Sequence, residues 1–231
     1  MMDIFVHNQG TLFFSFRSPY AWILWEELNQ QHPSFVRQVK WVPYWEPAPW
    51  LAEVLNSQLV PITYQPMSRN KSFYVLEDVK RRSQALGLAV RWPVDRAPAW
   101  EYSHLAYLEA MGCGTDQELL GDFFRARWMQ GRDLHDPAVV EGIVHESGGA
   151  DVSRLRWVEG TDLTSQAVAV FRYAAAQRIF GVPYLVSGHS HFFGVDSIMR
   201  RVVSGHPTVT SAGRVPSELA AFGDDPADGC G

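Results

Sequence analysis

Cysteine is scarce in this chain: of 231 residues only Cys113 and Cys230 carry a thiol. They belong to no C-x-x-C pair and to no Cys/His ligand spacing, which excludes a redox dithiol and a structural zinc site and leaves a free thiol and a tail residue. Long hydrophobic runs are missing as well, since none approaches the roughly 20 residues of a membrane span. Residues 1–10 lack the basic n-region and apolar h-region of a signal peptide, so the expectation is a cytoplasmic protein with no membrane partner. The formal charge of −5 is spread without long runs and supplies no basic stripe for nucleic acid. Lys80-Arg81-Arg82 reads as a solvated helix face, and Arg200-Arg201 as the cationic C-terminal end of a helix. There is no H-E-x-x-H helix and no G-x-S-x-G elbow. His189-x-His191 offers two imidazoles on a hairpin without a third ligand nearby, so no metal is expected.

What the chain does have is core material. At 46% hydrophobic and 13% aromatic residues it can bury one large core, or a core with a substantial inserted subdomain. Residues 11–16 are apolar enough for a buried strand, and Pro19 after Ser18 suits the first turn of a helix that runs to about residue 30. Residues 35–41 alternate as a second strand, giving a right-handed βαβ unit. Residues 43–66 read as a proline- and aromatic-rich connection. Helical patterns follow at 71–87, 98–111, 117–130, from Asp136-Pro137 to about 147, and at 163–179. Strand patterns return at 183–187 and 190–193, joined tightly through Gly188-His189, and 196–203 forms a closing helix. The predicted fold is α/β, a βαβ–ββα sheet with an inserted all-helical subdomain. Its divisions are 1–66 for the first half and its loop, 67–179 for the insertion, 180–205 for the second half, and 206–231 for a flexible tail.

One stretch bears chemistry, "TLFFSFRSPYAWILWEEL", in which a strand runs through Ser18-Pro19-Tyr20-Ala21 into an amphipathic helix. Thiol redox proteins present a Cys-Pro-Tyr-Cys pair at such a turn, and here serine and alanine stand in place of both thiols. Unpaired N–H groups and the positive dipole end favour an anion at a helix N-terminus. A serine hydroxyl there can donate to an incoming thiolate, and each unit by which a thiol pKa is lowered is about 1.4 kcal/mol of preference for the anion. Ser18 is equally an ordinary helix N-cap. Further on, Val182-Pro183 places an X-Pro bond at a strand start, and Asp196 stands at a helix start, ordinarily a cap. Tyr20, Trp22, Trp41, Tyr44, Trp45 and Trp50 crowd the same region; they would suit a planar aromatic ligand and would equally serve as core.

Taken together, "FFSFRSPYAW", "KSFYVLEDVKRRSQALGL", "FFRARWMQGRDLHDP" and "IFGVPYLVSGHSHFFGVD" resemble the DsbA-type branch of the thioredoxin fold that contains 2-hydroxychromene-2-carboxylate isomerases and kappa-class glutathione transferases. The resemblance runs from about Leu12 to Val203. It implies a thioredoxin-like fold and glutathione, or an equivalent small thiol, as cofactor, held by Ser18, Asn56, Val182, Pro183, Val195 and Asp196. The proline would be cis, with the backbone of Val182 pairing with glutathione like an added strand, and Asp196 would meet the γ-glutamyl ammonium. Relatives commonly have a polar residue before this aspartate and arginine after it, whereas Val195 and Ser197 stand here. Catalysis would fall to Ser18 and Lys71, although Lys71 also reads as a plain surface lysine at a helix start. Tyr20, Trp41 and Trp45 would line the pocket of a small aromatic substrate. A homodimer is implied by family analogy and is not written in the residues.

Three activities fit. The first is a thiol-dependent isomerase of an aromatic or polycyclic enone, working by reversible thiolate addition. The second is a kappa-like transferase that releases the adduct. The third is a non-catalytic thioredoxin-fold binder of an aromatic metabolite.

Overall fold

The computed structural model describes residues 9–64, 68–95, 99–148 and 162–204; the expected tail, 206–231, lies outside them. Strand β1 (Thr11–Phe14) is buried along its whole length and leads through the Ser18 turn into α1 (Pro19–Gln31). Ser18 is the N-cap, its Oγ accepting from Ala21 N, and Pro19 occupies the first helical position, where a missing N–H costs nothing. Next come α2 (Pro33–Gln38) and β2 (Lys40–Pro43), which pairs with β1 in parallel, Leu12 opposite Trp41.

The strand expected over 35–41 is therefore wrong in its first half. Val39 and Trp41 alternate with polar Gln38 and Lys40, but Pro33 starts a helical turn that buries the adjacent pair Phe35 and Val36, and extension begins only at Lys40. The connection over 43–66 likewise contains α3 (Pro49–Ser57). Its prolines misled the reading: Pro49 starts the helix, and Leu51 and Leu55, four apart, form its buried stripe.

Helices α4 (Arg69–Ala85), α5 (Glu101–Cys113), α6 (Asp116–Trp128), α7 (Pro137–Glu146) and α8 (Asp162–Ala176) make the helical block between β2 and the rest of the sheet. Strand β3 (Tyr184–Ser187) then runs antiparallel to β1, and β4 (Ser190–Phe193) pairs with β3 across the two-residue turn at Gly188 and His189. Gly188 takes the positive φ that such a turn requires. Helix α9 (Val195–Ser204) closes the described fold. The sheet order is β2-β1-β3-β4, so the Ser18 turn leaves an inner strand and the strand after Pro183 lies beside it.

The block is welded to the sheet by aromatic rings. Phe14 and Phe16 meet Tyr107 of α5 and Phe124 of α6 at centroid distances of 5.1 to 5.9 Å, and Trp22 stacks on Trp128 at 6.1 Å. Where α6 crosses α1, Gly121 lies against Trp25, and a Cβ there would stand 2.8 Å from its Cζ2. Alanine is the better helix former by about 1 kcal/mol, yet overpacking costs roughly 1–3 kcal/mol. Gly121→Ala is accordingly expected to lower stability by up to about 2 kcal/mol in urea unfolding; a gain would show that the tryptophan moves aside freely. Among the described residues no helix is long and apolar enough to cross a membrane.

Candidate functional site

Residues Ser15 to Ser18 form a short non-helical bridge from β1 to α1, and the helical block holds it from behind. His104 of α5 is fully buried. The backbone N–H of Phe16 donates to its Nε2 at 3.1 Å, and the Ser15 hydroxyl lies 3.1 Å from the same nitrogen. An amide N–H can only donate, so Nε2 carries a lone pair, and the proton sits on Nδ1, 2.6 Å from the carbonyl of Trp100. Burial pushes the imidazole pKa from 6.5 down to about 3, the hydrogen bond to Trp100 opposes the shift, and Arg127 and His135 push further down. His104 is thus a neutral brace, with Trp45 stacked on it at 4.9 Å. Trp128 of α6 donates its Nε1–H to the carbonyl of Phe16 at 3.1 Å, so both backbone polar groups of Phe16 are held by the insertion. These two bracing residues escaped the sequence reading. The one available signal was a histidine set among the apolar positions of a buried helix.

Ser18 is half-buried at the mouth of the turn. Its Oγ accepts from Ala21 N at 3.2 Å and lies 3.5 Å from the carbonyl of Val182. One lone pair is therefore engaged, while 3.5 Å exceeds the 2.5–3.0 Å of a formed O–H···O bond and leaves the hydroxyl proton only loosely held. The Val182-Pro183 bond is cis. Ser18, Val182 and Pro183 are thereby brought face to face from opposite ends of the sequence.

Tyr20 leaves the turn toward α4, where its hydroxyl donates to Asp78 Oδ2 at 2.9 Å; burial first, and then the carboxylate, raise its pKa. Asp78 is 2% exposed and also pairs with Arg81 and Arg82. Arg82 continues to Asp196 of α9, donating Nη1 and Nη2 to its two oxygens at 2.7 Å each. That hydrogen-bonded pair, against a smaller opposing effect of burial, holds the Asp196 carboxyl below its usual range. Val195, beside it, is buried.

The remaining predicted residues fall elsewhere. Trp41 and Trp45 are 2% and 1% exposed, with their indole N–H groups spent on the carbonyl of Val36 and on Glu101. A substrate cannot reach them, so the expected substrate-lining role gives way to a core role for both. Lys71 lies exposed in the first turn of α4, and Asn56 lies exposed near the end of α3, which packs on α8. Among the described residues no hydrogen bond or ion pair joins either side chain to the Ser18 turn.

A second polar cluster lies behind the turn. Asp95, Asp133 and His135 bring ligand atoms within 4.8 Å of one another, as a metal would require. Ala99 N–H donates to His135 Nδ1 at 3.0 Å, however, which puts the proton on Nε2, 3.1 Å from Asp95. The imidazole thus has no free lone pair, and Asp95 is also held by buried Arg127 at 3.0 and 3.1 Å. Burial works to raise the Asp95 pKa, and the hydrogen bonds from His135 and Arg127 outweigh it, bringing it to about 2. The group is an ion-pair brace beneath Trp100, over whose ring Arg127 sits at 4.5 Å.

Residues 11–202 match the family model of the DSBA-like thioredoxin domain. No curated protein sequence matches the chain. Among solved structures, a 2-hydroxychromene-2-carboxylate isomerase superposes with a TM-score of 0.65 at 15% identity, covering 93% of this chain and 98% of its own. A chain described as a probable DsbA oxidoreductase, from Streptomyces coelicolor, superposes with a TM-score of 0.57 at 17% identity, covering 85% and 91%. At such identities the likeness is one of fold.

Proposed function

The chain belongs to the DSBA-like thioredoxin domain family, and from that premise we propose that it is a thiol-dependent isomerase of an aromatic or polycyclic enone, with glutathione or an equivalent small thiol as its cofactor. The carrying observation is the state of Ser18: its oxygen accepts from Ala21 N, no base among the described residues takes its proton, and that proton is held only by a long contact to the Val182 carbonyl, which suits a donor to an anion. The turn holds no cysteine, and Ser18 and Ala21 cannot exchange disulfides, so the oxidoreductase chemistry of other members does not transfer. His104 does not convert Ser18 into an alkoxide either, because its basic nitrogen faces Phe16 and Ser15.

A bound thiolate would supply a nucleophile that adds to the conjugated carbon, frees the former double bond to rotate, and is expelled unchanged. Ser18 would stabilise the sulfur anion through its hydroxyl, helped by the positive end of the α1 dipole. The backbone at Val182 and Pro183, facing Ser18, would receive an extended peptide thiol by strand-like pairing. Lys71, on the exposed start of α4, would counter negative charge as it develops on the carbonyl oxygen. The Asp196 end fits less simply, because Arg82 already holds that carboxylate.

The test is a balance sheet of thiol and product with a hydroxychromene-type enone. Isomerisation should need added thiol and leave its concentration unchanged over many turnovers. Stoichiometric loss of thiol would replace the isomerase by the transferase reading, and full rate without thiol would remove the cofactor.

A further inference from the structure

Asp196 stands with 62% of its side chain exposed, yet one whole face of its carboxylate is occupied. Arg82 meets both oxygens at 2.7 Å in a fork, the geometry that makes arginine–carboxylate pairs strong and directionally fixed. Arg82 is itself anchored, since its Nε donates to Asp78 Oδ2 at 3.0 Å, and Asp78 is buried and held in turn by Tyr20 and Arg81. One chain of bonds therefore crosses from α1 through α4 to α9. Moving the whole guanidinium of Arg82 away from Asp196 would also give up its Nε bond to buried Asp78.

The charges around this point also cancel. Arg81, Arg82 and Arg200 face Asp78, Asp196 and Glu27, three formal cations against three formal anions. An ammonium group arriving here would find no net negative field to draw it in. Arg82 has five N–H donors, and three are committed to the two aspartates, so the guanidinium keeps donors for an acceptor on a ligand.

We propose that Arg82 is a specificity-determining residue of the thiol site: by occupying the carboxylate of Asp196 it makes recognition independent of an ammonium group, so that the site takes peptide thiols that bear a carboxylate whether or not they carry a free α-amino group. This rests on the thiol-binding reading above. It separates the chain from a site in which a bare aspartate selects glutathione through its amino end.

Two peptides identical but for one group provide the test: glutathione, and glutaryl-cysteinylglycine, which is glutathione without its α-amino group. Their Kd values are to be measured by titration calorimetry on the unmodified protein and on Arg82→Gln, with circular dichroism confirming the fold. The unmodified protein should bind the two within threefold of each other, and Arg82→Gln should prefer glutathione by tenfold or more. A tenfold preference for glutathione in the unmodified protein would overturn the inference while leaving thiol binding intact. Failure of both peptides to bind the unmodified protein would overturn the thiol reading and this inference with it. Should the variant not fold, the ratio in the unmodified protein decides by itself.

Discussion

Ser18→Ala is expected to lower the isomerisation rate at saturating thiol by about 100- to 1,000-fold, the usual consequence of losing one hydrogen bond aimed at a developing or resident anion. The effect should come from the sulfur. With no hydroxyl to donate, the pKa of the bound thiol should rise, and the loss of rate should shrink as the assay pH is raised. Stability should fall by only about 1 kcal/mol, the contribution of a serine N-cap, because among the described residues the only other bond made by the side chain is the long one to Val182. Ser18→Thr, which keeps both the cap and the hydroxyl, should retain most of the rate. The measurement is initial rate against pH for the three proteins, with thiolate absorbance of the bound thiol followed separately. A rate within threefold of the unmodified protein would remove Ser18 from the chemistry and favour a binder that kept the groove without a reaction.

The turn was legible because its signals are local. Ser18, Pro19 and the strand before them specify a capped helix start within nine residues, whatever the rest of the chain does. The hairpin at Gly188 is legible for the same reason. Where local signals compete the reading fails: the alternation of Val39 and Trp41 with Gln38 and Lys40 imitates a strand although Pro33 opens a helix just before it, and the prolines of 43–66 conceal α3, one of them standing at its start. Aromatic identity gives a ring's size and not its side of the sheet, which is why Trp41 and Trp45 read as pocket and proved to be core. Arg82 had every mark of a solvated helix face; its partner Asp196 lies 114 positions away, and charge patterning along one helix carries no trace of such a pair. The bracing of Phe16 by His104 spans 88 positions and was equally invisible.

His104 should make the fold acid-sensitive well above the range in which carboxylates titrate. In the unfolded chain a histidine takes up a proton near pH 6.5, whereas in the fold the buried imidazole resists until about pH 3. Between these values the unfolded state holds one proton more, so stability is complete above about pH 6.5 and falls as the pH drops, by about 1.4 kcal/mol per unit from this residue. That is roughly 2–3 kcal/mol lost by pH 4.5. The raised carboxyls Glu26, Glu27 and Glu101 act in the opposite direction, because they protonate first in the fold, and Asp95 contributes only below the ordinary aspartate range. His104→Gln isolates the residue, since an amide can still accept from Phe16 N and donate toward Trp100 but cannot titrate. The variant should be about 2–4 kcal/mol less stable at pH 7.5, through imperfect replacement of buried hydrogen bonds and of the stack on Trp45. Its stability should then change much less between pH 6.5 and 4.5. Urea midpoints for both proteins at pH 7.5, 5.5 and 4.5 supply the comparison. Equal slopes would mean that some other group takes up the proton, and that the Ser18 turn does not depend on a neutral imidazole behind it.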